Sequence, residues 1–232
     1  MDDNYCIQPI IRFIIDLNLH EGAVHMDSVI EQLKKVPTTA ISDVLKGMNN
    51  ISSTIKPLKE EYKIAGQAYT VKLPVGDNLM LLKSLKEAKP GDVLVVDVKG
   101  DTYRAIAGDF VVGMMQTMEL GGLVVDGVIR DIIDIKALNF PVFSKGSTVS
   151  SGGKTGPGDT NVPISCGGAP VNPGDIIVGD ADGVVVIPRD RAEEVLEGAK
   201  AKMEADDKRE AKIGGNKEAI IDYVNGMIAK SK

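Results

Sequence analysis

The sequence predicts an α/β fold in which parallel strands alternate with helices. Short runs rich in β-branched residues, of which Val93–Asp97 and Leu123–Asp126 are the clearest, predict buried strands. Each run precedes a stretch whose apolar residues recur every three or four positions, the spacing of an amphipathic helix. Strands that are joined through helices pair in parallel, so the two runs are expected to lie side by side in one sheet.

The chain begins with an N-terminal extension and a capped helix. Residues 1–35 form the extension, and its helical spacing is carried by Ile10, Ile11, Ile14, Ile15 and Leu17. We expect the extension to cover the core or to contact a neighbouring subunit. The next helix begins after Pro37, where Thr38 or Ser42 is suited to the N-cap position.

The central elements follow in alternation. Alternating β-formers predict a strand over residues 64–73, and spaced leucines predict a helix over residues 77–88. A helix is expected from Gly108 to Gly121 and another over residues 132–138. The glycine-rich stretch over residues 147–158 predicts a flexible connection between strands.

The C-terminal region predicts two helices. Residues 191–212 form a long charged helix with a thin apolar seam at Ala192, Val195, Leu196, Ala199 and Met203. Such a helix is either solvated or docked on another chain. Residues 217–230 form a second helix, with Ile220, Ile221, Val224 and Met227 on one side. We therefore divide the chain into an extension at 1–35, a central domain at 36–190 and C-terminal helices at 191–232.

Composition and charge exclude several classes of function. A chain of 232 residues with 43% hydrophobic content can bury one good core. Its net charge of −6 disfavours nucleic acid or an anionic membrane as the main partner. No apolar run approaches the roughly 18–20 residues of a membrane span, and the first residues do not resemble a signal peptide. We expect a cytoplasmic protein.

Cysteine and histidine are too scarce to carry the chemistry. Cys6 and Cys166 are far apart and suggest neither a disulfide framework nor a thiolate metal site. His20 and His25, the two histidines of the chain, both belong to the N-terminal extension, so a Ser-His-Asp triad or a zinc site is hard to build. The chemistry is expected to rest on carboxylates, arginine, lysine and a bound metal.

A candidate site follows from charged residues at two strand-to-helix junctions. Twenty residues separate Asp109 from the pair Arg130–Asp131, and each stands where a strand gives way to a helix. Positions that follow parallel strands meet at one edge of the sheet, so these residues are expected to face one crevice.

The residue types predict a metal-assisted site for a small carboxylic acid. Two close carboxylates favour a divalent cation between them. The unpaired N–H groups after Gly108 suit an anion, and Arg130 offers a planar fork for a carboxylate. The alternative is that Asp109 and Asp131 are helix caps and that Arg130 is a surface ion-pair partner.

Several motifs, in order along the chain, resemble the RraA-like family. They are Gly108–Asp109, Val125–Asp131, Asn161–Ile164, Pro173–Asp175 and Asp180–Pro188. The family includes 4-hydroxy-4-methyl-2-oxoglutarate aldolases, and some members carry the label of a demethylmenaquinone methyltransferase. The resemblance covers residues 36 to 213 and implies a three-layer β/β/α swivelling-domain-like fold, assembled as trimers or pairs of trimers.

The resemblance also assigns roles to individual residues. It implies that Asp131 binds Mg²⁺ or Mn²⁺ and that Arg130 binds the oxo-acid end of the substrate. The backbone N–H groups of Gly108, Asp109, Phe110 and Val111 would cradle its carboxylate, and Asp109 would also orient a water molecule on the metal. The implied reaction is a metal-dependent aldol cleavage that yields pyruvate, together with oxaloacetate decarboxylation.

Three questions stay open at this point. Family aldolases use an acid from a neighbour's C-terminal helix, and here the sequence offers Glu204 or Asp206; we favour Glu204 for its longer reach. A regulatory protein resembling the family's inhibitor of ribonuclease E would need neither metal nor acid. A Schiff-base aldolase would instead use Lys72 or Lys154.

Overall fold

The centre of the molecule is a sheet of four parallel strands. A computed structural model describes residues 24–230, and the expectations for Cys6, His20 and the apolar positions from Ile10 to Leu17 lie outside that range. The four strands are β2 (Ile64–Lys72), β3 (Val93–Asp97), β4 (Gly122–Asp126) and β5 (Val142–Ser144). The strands predicted from the β-branched runs are therefore confirmed, and so is their parallel pairing.

Short antiparallel strands extend this sheet. On one side β1 (Lys56–Pro57) pairs with β5, and on the other β9 (Ile176–Asp180) pairs with the first half of β2 and with β10 (Gly183–Ile187). The short β6 (Asp159–Thr160) pairs with the end of β2, whereas β7 (Ile164–Cys166) and β8 (Ala169–Val171) form a separate hairpin.

Seven α-helices lie within the described residues, and a single 3-10 turn (Arg189–Arg191) precedes the sixth. The first, α1, covers residues 24–33. It is followed by α2 (Thr38–Val44), α3 (Leu79–Ser84), α4 (Asp109–Thr117), α5 (Ile132–Leu138), α6 (Ala192–Ile213) and α7 (Lys217–Lys230). The predicted helix over residues 77–88 is too long at both ends. It begins after Asn78, because the Asp77 and Asn78 side chains bond to loops that are distant in sequence, and residues 85–88 continue only as turns.

The two faces of the parallel sheet are covered by different layers. Alternate side chains of a strand point to opposite faces, so Val96 packs with α3, α4 and α5, and its neighbour Val95 packs with β7, β8 and β10. Both valines are fully buried. This arrangement is the β/β/α layering that the family resemblance implied.

A third apolar cluster joins α1, α2 and α6 to the β9–β10 hairpin. Val185 and Ile187 face this cluster, which also contains Leu33 of α1, Ile41 of α2 and Val195 of α6. The seam of α6 is thus buried within the chain, and the prediction that it is solvated or docked on another chain is wrong. α1 belongs to the extension that was expected to cover the core or to contact a neighbouring subunit, and its described residues do cover the core. The sequence did not indicate that α6 packs in the same cluster as α1 and α2.

The start of α2 is held by a residue from β9. Pro37 occupies the N-cap position without a side-chain cap bond, so the prediction of Thr38 or Ser42 as the cap is wrong. The backbone N–H and the hydroxyl of Thr38 both donate to the Asp180 carboxylate, at 2.9 and 2.6 Å. The Ser42 hydroxyl accepts a hydrogen bond from Asn50 instead.

The last helix, α7, buries none of its residues. Its predicted apolar side is present, and Ile220, Ile221, Val224 and Met227 are between 44% and 58% exposed. Crossing a bilayer takes a long, strongly apolar helix, and α1 to α7 include none that meets this requirement within residues 24–230.

Candidate functional site

A cavity of about 430 Å³ lies beyond the carboxyl ends of β3 and β4. Its walls come from the starts of α3 and α4, from the β4–α5 connection and from the loop after β5. The residues that line it are Asn78, Leu82, Ala105, Ala107, Gly108, Asp109, Phe110, Val111, Met114, Arg130, Asp131, Ser151, Gly152 and Lys154. Asp109 and the Arg130–Asp131 pair, with twenty residues between them in the sequence, therefore do face one crevice, as predicted.

The β3–α4 junction presents backbone donors to the cavity. Gly108 is extended at the N-cap position, with φ −127° and ψ −173°. The N–H groups of Asp109, Phe110 and Val111 precede the first intrahelical bond, which Val112 makes to the Gly108 carbonyl. Within residues 24–230 the exposed Asp109 carboxylate has no hydrogen-bond or ion-pair partner. This helix start is suited to a small anion.

The β4–α5 junction presents side chains instead. Asp131 is left-handed, at φ 57° and ψ 41°, a conformation that Asp adopts more readily than most residues. It occupies the N-cap position of α5, but its carboxylate makes no cap hydrogen bond. Its Oδ2 lies 3.2 Å from Arg130 Nε, and both side chains are part-exposed. Asp109 therefore does not cap α4, whereas Asp131 holds the N-cap position of α5 without a cap hydrogen bond. The ion pair of the part-exposed Arg130 agrees with the alternative reading of that residue.

The two junctions touch at Gly108. A Cβ added there would lie 2.3 Å from Asp131 Oδ2 and 3.3 Å from Arg130 Nε. The backbone N–H of Arg130 also donates to the Ala107 carbonyl oxygen at 3.0 Å. The absence of a side chain at residue 108 allows the Asp131 carboxylate to lie against the start of α4.

An ion pair at the end of β4 supports the β4–α5 junction. Lys145 Nζ lies 2.5 Å from Oδ1 of the buried Asp126, the last residue of β4. The Lys145 N–H donates to the Gly127 carbonyl oxygen at 2.8 Å. A Cβ at Gly127 would lie 2.4 Å from Val98, so this turn is closely packed on the β3 side as well. These contacts fix the segment that carries Arg130 and Asp131.

A third wall of the cavity was missed by sequence reasoning. Ser151, Gly152 and Lys154 belong to the stretch that was predicted to be only a connection. Gly152 pairs with Ala105, because its N–H donates to the Ala105 carbonyl at 3.0 Å. The glycines of this stretch were the available signal, since glycine often marks a close backbone approach.

The buried Asp77 holds this third wall in place. Its carboxylate accepts hydrogen bonds from the N–H groups of Thr155 and Gly156, at 2.6 and 2.8 Å, and of Leu79 at 2.9 Å. Burial alone would raise the pKa of Asp77, but these bonds and the charge of Lys154 outweigh burial and lower it. Asp77 therefore stays ionised and ties the loop to the start of α3.

The residues around Asp131 fit a divalent metal ion of the Mg²⁺ type. Mg²⁺ is usually held by one or two carboxylates and keeps several waters or substrate oxygens. The Asp131 carboxylate is 34% exposed and lies where Gly108 leaves space beside Oδ2. No cluster of three or more His, Cys, Asp or Glu suited to a metal occurs in residues 24–230, so a site that relies on a full protein cage, such as structural zinc, does not fit.

The other candidate residues lie away from the cavity, with one exception. Glu204 pairs with Lys208 at 2.8 Å, and Asp206 pairs with Arg209 at 2.7 Å and Lys202 at 3.4 Å, all on α6. Lys72 is exposed at the end of β2. Only Lys154 belongs to the cavity wall. Burial raises the pKa of the Cys166 thiol, which agrees with an inert cysteine.

Comparisons with known proteins agree with the fold and with the motifs. The family model described as RraA-like, Aldolase/RraA, matches residues 38–186. A Halalkalibacterium halodurans protein, named provisionally as a 4-hydroxy-4-methyl-2-oxoglutarate aldolase, is 55% identical over 202 residues, which are 87% of this chain and 96% of that protein.

Solved structures that align with this chain support the same fold. Streptomyces coelicolor RraAS2, described as an unusual member of the RNase ES inhibitor RraA family, aligns with a TM-score of 0.72 at 29% identity, over 78% of this chain and 94% of that one. An uncharacterized Pseudomonas syringae protein aligns with a TM-score of 0.75 at 26% identity, over 85% and 94% of the two chains.

Proposed function

Because this chain belongs to the RraA-like family, we propose that it is a divalent-metal-dependent aldolase that releases pyruvate from oxo acids of the 4-hydroxy-4-methyl-2-oxoglutarate type. The supporting observation is the convergence of Arg130, Asp131 and the open N-terminus of α4 on one cavity. The relative that is 55% identical and named provisionally for this reaction supports the same substrate class.

Substrate binding uses the two junctions together. The N–H groups of Asp109, Phe110 and Val111 donate to the carboxylate next to the oxo group, and the positive end of the α4 dipole favours that charge. The Arg130 guanidinium approaches from the second junction and pairs with the oxygens at the same end of the substrate. Lys154 lies in the third wall and is suited to the second carboxylate of the substrate.

The overall cleavage moves one electron pair and shifts one proton, through water, from the C4 hydroxyl to C3. The C4 hydroxyl loses its proton, the C3–C4 bond breaks, and C4 becomes the carbonyl carbon of one pyruvate. The bonding electrons pass through C3 to the C2 oxygen, which becomes an enolate. Arg130 stabilises this negative oxygen, as fixed donors do wherever charge develops. Protonation at C3 then gives the second pyruvate.

Asp131 is the residue that would hold the metal in this proposal. A bound Mg²⁺ or Mn²⁺ would supply a positive charge that polarises the oxo group. Gly108 keeps the Asp131 carboxylate accessible, and Arg130 orients it through their contact at 3.2 Å. Oxaloacetate decarboxylation gives the same enolate, because loss of CO₂ leaves its electrons on C3, so one site serves both reactions.

The decisive experiment is a pyruvate-release assay on a panel of oxo acids. We expect turnover of 4-hydroxy-4-methyl-2-oxoglutarate and of oxaloacetate with Mg²⁺ or Mn²⁺, and loss of both on addition of EDTA. Full turnover by metal-stripped protein would contradict the metal mechanism. Trapping of a pyruvate adduct on Lys154 by borohydride would replace it with a Schiff-base aldolase.

An acid from a neighbouring subunit completes the proposed site in a trimer or a pair of trimers. Glu204 and Asp206 pair with basic residues of their own helix and do not line the cavity of their own chain, so only a neighbour's copy can supply them. We expect one of Glu204→Gln and Asp206→Asn to lower turnover while light scattering shows the oligomer unchanged. Full activity in both variants, or in a monomer, would rule out a shared site.

The second candidate is a non-enzymatic regulator, favoured by the likeness to the inhibitor-family protein RraAS2. A regulator of this kind acts through protein contact and needs neither Asp131 nor a metal. Absence of turnover across the oxo-acid panel, combined with inhibition of a ribonuclease E-type enzyme that survives Asp131→Asn, would favour this function over the aldolase.

A further inference from the structure

The last helix, α7, exposes a continuous apolar stripe. Its members are Ile220, Ile221, Val224, Met227 and Ile228, each between 44% and 58% exposed. At about 100° per residue these positions fall within an arc of about 120°, which is the width of the face that a helix normally buries. The apolar seam of α6 is buried in the third apolar cluster, so the exposed stripe of α7 needs an explanation of its own.

The stripe points away from the body of the chain. Ala219, Asp222 and Tyr223 of α7 line a groove against the last two turns of α6. These three positions lie about 100° to 160° around the helix from Val224, the centre of the stripe. Because α6 occupies that side of α7, the stripe is left on the outer side.

The apolar positions of the stripe are symmetric about Val224. Ile221 and Met227 lie three residues before and after it, and Ile220 and Ile228 lie four residues before and after it. A twofold axis at Val224 that sets two α7 helices antiparallel would place this valine against its own copy. Ile221 would then lie beside Ile228 of the other copy, and Ile220 beside its Met227. The stripe is therefore complementary to itself, as a twofold interface requires.

The charge at the start of α7 favours the antiparallel direction. Lys217 lies in line with the stripe, one turn before Ile221, and its side chain has no ion-pair or hydrogen-bond partner within residues 24–230. In an antiparallel pair its ammonium group meets the C-terminal end of the other helix, where the carbonyl groups carry a partial negative charge. A parallel pair would instead set Lys217 against Lys217, which is unfavourable.

We propose that α7 is a self-association surface, which pairs antiparallel with α7 of a second copy of this chain about a twofold axis at Val224. A helix of 14 residues is about 20 Å long. The interface is therefore small, and its formation should depend on protein concentration. No residue of α7 lines the cavity of its own chain, and the proposal is independent of the proposed function.

Cysteine crosslinking in the full chain tests the pairing. We expect Val224→Cys to form a disulfide-linked dimer under mild oxidation, because the two side chains meet at the axis. The matched control is Asn225→Cys, which is exposed and lies about 100° around the helix from Val224. Its yield should stay at the background that the native Cys6 and Cys166 give in the wild type. A yield for Val224→Cys no higher than this background would overturn the proposal.

Two further variants test the direction of the pair. Chains with Ile221→Cys should link readily to chains with Ile228→Cys but poorly to one another, since only the antiparallel pair brings these two positions together. Links between two Ile221→Cys chains, without links between the two kinds of chain, would indicate a parallel pair and overturn the proposal. A disulfide from Val224→Cys to Cys6 of the same chain, located by peptide mapping, would assign the stripe to the N-terminal extension and overturn it as well.

Sedimentation velocity tests the same contact without added cysteines. Val224→Glu sets two negative charges against each other at the axis, so the dissociation constant of the pair should rise at least about 100-fold. We expect this variant to have half the mass of the wild type, whereas Asn225→Glu keeps the wild-type mass. Circular dichroism should be unchanged in both variants, because Val224 is 45% exposed and lies outside the core. Equal masses of the wild type and Val224→Glu at high protein concentration would overturn the proposal.

Discussion

The β3–α4 and β4–α5 junctions meet at the same cavity but contribute different groups. The first offers backbone N–H donors after Gly108, and its Asp109 side chain is exposed and unpaired within residues 24–230. The second offers side chains, Arg130 and Asp131, on a short turn fixed by Lys145 and by the packing of Gly127. Substitutions should therefore act through side-chain chemistry at the second junction and mainly through space at the first.

The backbone conformations of Gly108 and Asp131 also differ between the two junctions. Gly108 is in an extended conformation that any residue can adopt, and it is required only because a Cβ would meet Asp131. Asp131 is left-handed, which costs a residue with a Cβ about 1–2 kcal/mol unless its side chain tolerates the region, as Asp and Asn do. The residue at position 108 of the first junction is thus restricted by the space available for a side chain. The residue at position 131 of the second junction is restricted by its backbone conformation and by its charge.

The largest expected effect is at Asp131. Asp131→Asn keeps the shape and tolerates the left-handed backbone but removes the charge that would hold the metal, so we expect kcat/KM to fall by at least about 1000-fold. The fold should remain intact in circular dichroism and thermal melting. Asp131→Ala should lose activity equally and also be less stable, by about 1–2 kcal/mol, because alanine is strained in this conformation.

The matched control for this variant is Asp134→Asn. Asp134 lies three residues further along, in the first turn of α5, and is exposed. The Asp134→Asn variant should retain full activity. Mn²⁺ binding, measured by electron paramagnetic resonance, should be lost only in the Asp131 variants. Unaltered Mn²⁺ binding by Asp131→Asn would show that the metal does not bind at the second junction.

Arg130→Lys should give the next largest effect, although the charge is kept. An ammonium group cannot reproduce the planar fork that holds a carboxylate and an enolate oxygen together. The loss of an interaction worth roughly 2–4 kcal/mol in the transition state corresponds to a fall in kcat/KM of about 30-fold to 1000-fold. Steady-state kinetics with oxaloacetate measure this directly. If Arg130→Lys keeps the wild-type kcat/KM, the role of Arg130 is limited to its ion pair with Asp131 and does not include substrate binding.

Gly108→Ala tests whether the first junction acts through space. The added Cβ would lie 2.3 Å from Asp131 Oδ2, so the carboxylate must move, although the backbone at φ −127° accepts alanine. Displacements of this order cost about tenfold to 100-fold in rate, and we expect that fall in kcat/KM. Weaker Mn²⁺ binding should accompany it.

The same helix supplies the control for this substitution. A Cβ at Gly113 meets nothing closer than Leu138, at 4.0 Å, so Gly113→Ala should keep full activity. It should also stabilise the protein by about 0.5–1 kcal/mol, because glycine is unfavourable within a helix. Equal activity of Gly108→Ala and Gly113→Ala would show that the two junctions do not share a site.

The sequence predicted the parts of this site that depend on local periodicity. Strand-like runs and helical spacing located β3, α4, β4 and α5, and the order of these elements placed Asp109 and Arg130 at one edge. The third wall was not predicted, because Asp77 reaches Thr155 and Gly156 across 78 and 79 residues of chain. The Thr38–Asp180 contact and the burial of the α6 seam were missed for the same reason, since no local pattern encodes a partner that is distant in sequence.

The smallest expected effect is at Asp109, where Asp109→Asn separates the side chain from the main chain. The substitution keeps the N–H groups that would hold the substrate carboxylate, so KM should stay near its wild-type value. If the carboxylate orients a water molecule for protonation of the enolate, kcat should fall by about tenfold, toward the low end of what a positioned acid or base contributes. Loss of a negative charge at the start of α4 should lower stability by only about 0.3–1 kcal/mol. A lowered melting temperature with an unchanged kcat would mean that the Asp109 side chain only stabilises its helix, and that the first junction contributes main-chain donors alone.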